Sequence, residues 1–188
     1  MSPAKRFFLP VLLLLAVLRT ASNSAEIDVY FSPNGGAATA IAREIYAAKV
    51  SVHVLAYSIS ESQVTRAIIG AKDRGLSVFL IVDKHQQGGS FTTARKIKDS
   101  GVPVRVDRNH ALMHNKTVII DAAIVITGSM NFSASGDKKN AENTIILRDV
   151  DVARKYESDF QIHLSHSTTY SPPTLPLSSP DPPTHKEP

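Results

Sequence analysis

The feature that most restricts how this chain can fold is a regular alternation of strand-like and helix-like apolar patterns between residues 27 and 164. Short segments rich in β-branched residues predict strands, and the segments between them carry apolar residues at helical spacing. Glycines 75 and 101 close two of the helical segments. The predicted strands are 27–33, 50–59, 76–83, 102–107, 116–121, 123–128 and 142–149, and the predicted helices are 37–49, 61–75, 91–101 and 152–166.

This pattern predicts an α/β domain. Strands separated by helices of ten to fifteen residues indicate crossover connections and therefore parallel pairing. The short link between the strands at 116–121 and 123–128 indicates some antiparallel pairing as well. We therefore expect a mixed, largely parallel β-sheet with helices on both faces. The core contains no internal repeat.

The N-terminal segment differs in composition from this core. Residues 1–25 combine a basic start, an apolar run from Phe7 to Leu18 and small residues that suit cleavage after Ser24 or Ala25, which predicts a signal peptide. The apolar run is shorter than the roughly 20 residues of a membrane span, and an uncleaved anchor is the alternative. We expect an exported protein, periplasmic or secreted, with no stable membrane span in its mature form.

The C-terminal segment, residues 165–188, is rich in serine, threonine and proline. Such a segment has too little apolar surface to offset the entropy cost of ordering it, so we predict a disordered tail. The remaining residues, 26–164, are enough for one domain with its own hydrophobic core. We expect this domain to carry the activity.

Charge and cysteine content exclude several function classes. Three basic residues, Lys5, Arg6 and Arg19, lie in the predicted signal peptide, so the formal net charge of +4 falls to +1 without them. Any basic surface for a polyanion must therefore be local. The chain has no cysteine, which excludes disulfides, thiol catalysis and cysteine metal sites.

The segment HNKTVIID carries the first candidate chemistry. On a strand, His114 and Lys116 point to the same face, roughly 7 Å apart along the chain. Asp121 has the opposite parity, so on a regular strand it cannot reach a group that the other two engage. We expect Asp121 to accept hydrogen bonds from backbone N–H groups and to stabilise the turn at the strand end.

The next strand end repeats this spacing. Ser129 and Asn131 follow Gly128, and their hydroxyl and amide groups suit the oxygens of a phosphate. Glu142, at the start of the following strand, is positioned to orient an imidazole. The full set fits attack on a phosphodiester without a metal, because Lys116 can supply the positive charge.

These residues resemble the motifs of a known family. His114, Lys116 and Asp121 match the HxKxxxxD motif of the phospholipase D superfamily, and Gly128, Ser129 and Asn131 match its GSxN element. With a single motif in a short chain, the sequence is most similar to the small bacterial Nuc-type endonucleases, over about residues 27–163. The resemblance implies a phospholipase D/Nuc-like fold with one motif per chain.

The resemblance also implies a mechanism. One histidine attacks phosphorus to form a phosphohistidine, a second histidine protonates the leaving oxygen, and water completes the hydrolysis. Two HxKxxxxD motifs build one site, so a single motif implies a homodimer whose active site lies at the two-fold interface, with His114 and Lys116 from each chain. The family pattern implies no cofactor and no metal, and a structural role for Asp121.

Three functions remain open from the sequence. The first is an exported, metal-independent phosphodiesterase that acts as a nonspecific endonuclease on DNA or RNA, since no segment resembles a base-reading module. The second is a phospholipase D that releases the head groups of phospholipids such as phosphatidylcholine, which should present an apolar rim. The third is a non-catalytic phosphate-binding module, which the pairing of His114 with Lys116 disfavours.

Three further histidines have plainer interpretations. His110 and His114 have the i, i+4 spacing of zinc helices, but the glutamate of that motif is missing and a strand follows, so we expect no metal. His53 lies within an apolar strand, which predicts a core or interface group with its polar atoms satisfied. His85 either lines the substrate groove or belongs to an ordinary loop.

Overall fold

The computed structural model of the protein describes residues 25–87 and 92–171. The predicted signal peptide, apart from Ala25, and the tail beyond Ser171 lie outside these residues. The helices are α1 (Ala37–Ala47), α2 (Ser62–Asp73), α3 (Thr92–Asp99), α4 (Ala134–Lys138) and α5 (Val150–His166), and a 3-10 turn spans Lys84–Gln87. The strands are β1 (Glu26–Ser32), β2 (Ser51–Ala56), β3 (Ser77–Asp83), β4 (Val104–Asp107), β5 (Lys116–Ile120), β6 (Ile124–Gly128), β7 (Glu142–Arg148) and β8 (Thr168–Thr169).

The described strands form one open mixed sheet in the order β1-β7-β6-β5-β2-β3-β4-β8. This confirms the predicted mixed sheet with helices. Its parallel part is smaller than expected, because only β2–β3 and β3–β4 are parallel among the described pairings. The other five pairings are antiparallel. The reason is that β5, β6 and β7 follow one another without long crossover helices, so each reverses the direction of the strand before it.

Helices cover both faces of the sheet, as predicted. One face packs against α1 and α2, and its buried side chains include Val54, Val118 and Ile126. The opposite face packs against α5 through Leu55, Ile119 and other apolar residues. Successive side chains of a strand point to opposite faces of the sheet. Consecutive residues within β2, and likewise within β5, therefore pack into the two different cores.

Several strands begin or end along the same side of the sheet, at the ends of the strands and not at an outermost strand. This arrangement positions the site. Strands β2 and β6 end there, whereas β5 and β7 begin there, because antiparallel neighbours run in opposite directions. Strands β3 and β4, parallel to β2, end at the same edge. Polar residues at these strand ends therefore come together although they are far apart in the sequence.

The C-terminal end of the fold differs from the prediction that the tail begins at Ser165. Helix α5 continues to His166, and β8 pairs with β4. The side chain of Tyr170 is buried in the same core as α1 and α2, and its amide donates to the carbonyl oxygen of Val104 at 3.0 Å. A two-residue strand and one buried tyrosine have no periodic signature, so the sequence could not show that the fold extends to this point.

The short helix α4 was also not predicted. It begins where the Ser133 hydroxyl accepts a hydrogen bond of 3.1 Å from the Gly136 amide. No helix in residues 25–87 and 92–171 has the length and apolar character needed to cross a membrane.

Candidate active site

The side chains of His114 and Lys116 meet over one aromatic ring, that of Tyr57. The imidazole of His114 lies 4.5 Å from the Tyr57 ring, centroid to centroid. The Nζ atom of Lys116 lies 5.0 Å from the same centroid, within cation–π range. Strand β5 begins only at Lys116, so His114 lies in the preceding segment and its imidazole is exposed. The structure brings the two motif residues together, although His114 precedes the strand on which the sequence placed it.

Lys116 is a buried cation, with only 6% of its surface exposed. Its Nζ atom donates a hydrogen bond of 2.6 Å to the carbonyl oxygen of His114. Burial lowers the pKa of Lys116, and the negative charge of Glu142 partly counteracts this shift. A positive charge held beside an exposed imidazole is suited to bind a phosphate.

Glu142 and Ser129 are joined directly. The Ser129 hydroxyl donates to Glu142 Oε2 at 2.5 Å, and the Asn140 side-chain amide donates to Glu142 Oε1 at 3.1 Å. The Ser129 hydroxyl also accepts a bond of 3.1 Å from the Asn143 backbone amide. Both Glu142 oxygens thus have partners other than an imidazole within the described residues, so its expected role in orienting a histidine stays a prediction.

The glycine of the GSxN element permits this close approach. Gly128 has a φ of +153°, and an added Cβ atom would lie 2.2 Å from the carbonyl oxygen of Asn143. That carbonyl also accepts the backbone N–H groups of Ser129 and Met130. A side chain at position 128 would push β7 away and separate Ser129 from Glu142.

Asn131 lies in the segment that follows. The oxygen of its side-chain amide, Oδ1, is buried and has no hydrogen-bond partner among the described residues. Its backbone oxygen accepts from the Ser133 amide at 2.7 Å. A buried polar atom without a partner is costly, but an amide oxygen only accepts hydrogen bonds and so cannot bind the oxygens of a phosphate. The predicted phosphate-binding role of Asn131 stays a prediction.

Asp121 acts on the backbone, as its strand parity predicts. Its carboxylate accepts hydrogen bonds of 2.8–2.9 Å from the amides of Lys49, Val50 and Ser51, at the entry to β2. Burial would raise the pKa of Asp121, but these three bonds outweigh it and hold the pKa below its usual range. The carboxylate therefore stabilises the junction of two strands, at the end of β5 remote from Lys116.

Comparison with known proteins identifies the family. A family model described as "Cardiolipin synthase, PLD-like domain" matches residues 41–164, which is more than half of the chain. The chain belongs to the phospholipase D superfamily.

Individual members of this superfamily are similar over the same region. A protein from Rickettsia conorii named phospholipase D is 36% identical over 132 residues, which cover 70% of this chain and 66% of that protein. The mouse mitochondrial cardiolipin hydrolase is 29% identical over 119 residues, covering 63% of this chain and 54% of that protein. The matched region therefore spans less than two thirds of the length of both relatives.

A solved structure confirms the phospholipase D-like fold. Nuc from Salmonella typhimurium, a phospholipase D family member, superposes with a TM-score of 0.75 and 30% sequence identity. The match covers 78% of this chain and 98% of Nuc. The phospholipase D-like domain of this chain thus corresponds to nearly the whole of that molecule.

One contact residue of the phospholipase D-like site was not among the predicted site residues. Tyr57 follows β2, and its amide donates a bond of 2.8 Å to the carbonyl oxygen of Asn115. A single aromatic residue at the end of a strand has no distinctive pattern. Only the antiparallel pairing of β2 with β5, in which Ala56 faces Lys116, places the Tyr57 ring beneath the motif.

The other histidines occupy separate positions. His53 stacks on Phe160, and its Nδ1 atom lies 2.9 Å from Glu157 Oε2, so this partly buried ring has a polar partner. Burial would raise the pKa of Glu157, but hydrogen bonds from His53 and Gln161 lower it. His85 lies 2.6 Å from the buried Asp83 carboxylate. None of these contacts involves His114 or Lys116.

Proposed function

We propose that the protein hydrolyses phosphodiesters, with His114 as the nucleophile and Lys116 as the cation that stabilises the charge on phosphorus. The observation that carries this proposal is the exposed His114 imidazole next to the buried Lys116 ammonium on the Tyr57 ring. A lysine with no role in binding or catalysis would normally lie on the surface, whereas Lys116 is only 6% exposed. Water exclusion around a fixed charge strengthens its effect on a developing oxyanion.

The proposed reaction has two steps. A ring nitrogen of one His114 forms a bond to phosphorus while the bond from phosphorus to the leaving oxygen breaks, and a second histidine protonates that oxygen. Water then attacks the phosphohistidine, gives its proton to the second histidine, and releases the first imidazole. Lys116, Ser129 and Asn131 contact the non-bridging oxygens, and no metal takes part in this scheme.

The scheme requires two histidines, whereas each chain has one motif. We propose that the second His114 comes from another copy of the chain across a two-fold axis, with the active site at the interface. The exposure of His114 in one chain supports this, since a partner can reach it. Closed two-fold dimers are the commonest homo-oligomers. Glu142 of either copy would orient the imidazoles.

The substrate that we propose is DNA or RNA, cleaved with little sequence preference. The similarity to Nuc over 98% of its length supports this, together with the resemblance to Nuc-type endonucleases. Phosphate contacts alone bind nucleic acid without reading its sequence. The predicted signal peptide supports action outside the cytoplasm, in the periplasm or the medium.

A second candidate substrate is a phospholipid, and specific observations favour it. The Rickettsia conorii relative is named phospholipase D, and the mouse relative is a cardiolipin hydrolase. Leu112, two residues before His114, is 48% exposed, and Phe31, beside Glu142 in a shared cleft, is 65% exposed. Exposed apolar side chains around a polar site suit contact with a lipid surface.

One experiment separates these substrates. The chain from Glu26 onward is incubated with plasmid DNA, single-stranded RNA, and vesicles of phosphatidylcholine or cardiolipin, with no added metal. His114→Ala is prepared identically, and circular dichroism checks that it is folded. Cleavage of nucleic acid by the wild type alone establishes a nuclease. Head-group release with intact nucleic acid establishes a phospholipase, and equal activity of the mutant rejects the proposed nucleophile.

A mixed dimer tests the shared site. Wild-type and His114→Ala chains carrying different tags are co-expressed, and the heterodimer is purified through both tags. A site built from two histidines predicts that the heterodimer loses nearly all activity. Retention of half the wild-type activity would show instead that each chain works alone.

A further inference from the structure

A second polar cluster lies at the same edge of the sheet but apart from His114. Asp107 ends β4, His110 lies in the following segment, and His163 and His166 are one turn apart at the end of α5. We propose that these four residues bind one divalent transition-metal ion, with zinc as the best fit, and that this ion stabilises the segment leading to His114. This inference does not depend on the proposed substrate.

The four side chains already converge. Asp107 Oδ2 lies 2.9 Å from His110 Nδ1, 2.6 Å from His163 Nδ1 and 3.0 Å from His166 Nε2. The four candidate ligand atoms all lie within 4.8 Å of one another. Zinc bonds of about 2.0–2.1 Å in a tetrahedron place neighbouring ligand atoms roughly 3.3 Å apart. Small side-chain rotations therefore suffice to surround an ion.

Hydrogen bonding alone is a poor explanation for this arrangement. Three imidazoles approach a single carboxylate oxygen, although such an oxygen has only about two lone-pair positions. The other oxygen, Oδ1, accepts the amides of Asn109 at 2.8 Å and His110 at 3.3 Å. A cation between the rings and the carboxylate would let each imidazole present a lone pair instead of competing to donate a proton.

The charge and ligand types suit zinc. The Asp107 side chain is 0% exposed. Three imidazoles and one carboxylate are borderline nitrogen and oxygen ligands, which zinc accepts readily. The His110 ring, 45% exposed, leaves an entry path from solvent.

The groups around the cluster support a metal site independently. In metal sites, a ligating histidine usually directs its other ring nitrogen to a carboxylate or another polar group. His163 Nε2 lies 3.6 Å from Asp159 Oδ2, a carboxylate towards which this ring nitrogen can donate. The ligating carboxylate of Asp107 is held by the backbone amides already described. Both features match the outer contacts of known metal centres.

The position of the cluster explains what the ion would do. His110 is four residues before His114, and the cluster joins this segment to α5. Two other contacts already hold the segment, from Lys84 Nζ to the His110 carbonyl at 2.9 Å and from the Met113 amide to Asp83 at 2.7 Å. The ion would thus position the nucleophile-bearing segment without touching the substrate.

The test uses the full chain, purified without a histidine tag. Bound zinc is counted after gel filtration, affinity is measured by competition with a chromophoric chelator, and cobalt substitution reports the coordination geometry by its visible spectrum. The variants are His110→Ala and His166→Ala. The matched control is His85→Ala, since His85 also contacts a buried aspartate but lies outside the cluster. His166→Cys replaces one ligand by another.

We expect the wild type, His85→Ala and His166→Cys to bind one zinc per chain and to unfold at a higher temperature when zinc is present. The two cluster alanine variants should bind at least about 100-fold more weakly and show no such rise. Absence of saturable zinc binding by the wild type would overturn the proposal. Equal affinity in all variants would do so too, as would failure of His166→Cys to bind.

Discussion

The ammonium of Lys116 is hydrogen-bonded to the carbonyl oxygen of His114 at 2.6 Å, and both side chains contact the Tyr57 ring. The two motif residues are therefore coupled through the backbone as well as through a shared surface. A shift of the His114 segment would move the cation with the nucleophile. Substitutions can therefore test the relative position of His114 and Lys116 as well as the identity of each residue.

Replacing Lys116 should separate activity from stability. Lys116→Met removes the charge and keeps the length, so we expect kcat to fall by about 10²–10³-fold or more. Because burial of the charge is unfavourable, the free energy of unfolding should stay the same or rise by about 1 kcal/mol. Urea denaturation and steady-state kinetics measure both quantities. An active Lys116→Met enzyme would contradict the assignment.

Replacing Tyr57 tests the aromatic platform. Tyr57→Phe keeps the ring, so we expect activity within a few-fold of wild type. Tyr57→Leu removes the cation–π contact and the ring beneath His114, which should lower kcat by roughly 2–30-fold, the rate equivalent of about 0.5–2 kcal/mol. If Tyr57→Phe is as impaired as Tyr57→Leu, the hydroxyl and not the ring is the required group.

Replacing Asp121 should lower stability through the backbone of β2. Asp121 has a φ of +54°, a conformation that asparagine tolerates well, so Asp121→Asn removes the charge with little backbone strain. We expect the free energy of unfolding to fall by about 1–3 kcal/mol at neutral pH, because three backbone donors lose their carboxylate. Chemical denaturation of both proteins measures the difference.

The same substitution makes a pH prediction. The folded-state pKa of Asp121 is lowered, so its contribution is fully present above the ordinary aspartate pKa of about 3.9 and is lost as the pH falls through the lower folded value. The stability difference between wild type and Asp121→Asn should therefore shrink below about pH 3.9. A difference that is constant down to pH 2 would show that the carboxylate charge is not responsible.

Replacing Gly128 tests the close approach of β6 and β7. Gly128→Ala should destabilise the protein by at least about 2 kcal/mol and reduce activity, because the new methyl group meets the Asn143 carbonyl at 2.2 Å. Gly36→Ala is the matched control. Gly36 also has a positive φ, of +78°, but a Cβ there meets open space among the described residues. Equal effects of the two substitutions would show that backbone conformation alone is responsible.

The sequence alone predicted the order of most helices and strands, the motif residues and the family. These depend on local periodicity and on residues close together in the chain, such as His114 and Lys116. Asp121 was also understood from the sequence, because strand parity alone directs it away from the motif. The same approach missed α4 and β8, which are too short to show a period.

What only the tertiary structure decided was which distant residues meet. The predominance of antiparallel pairing, the placement of Tyr57 under the motif and the bond of Ser129 to Glu142 all depend on strand order. The contact of Asp107 with His163 joins residues 56 positions apart, and no local pattern signals it. The physical reason is that periodicity reports which face of an element is buried, whereas the packing of whole elements determines what that face contacts.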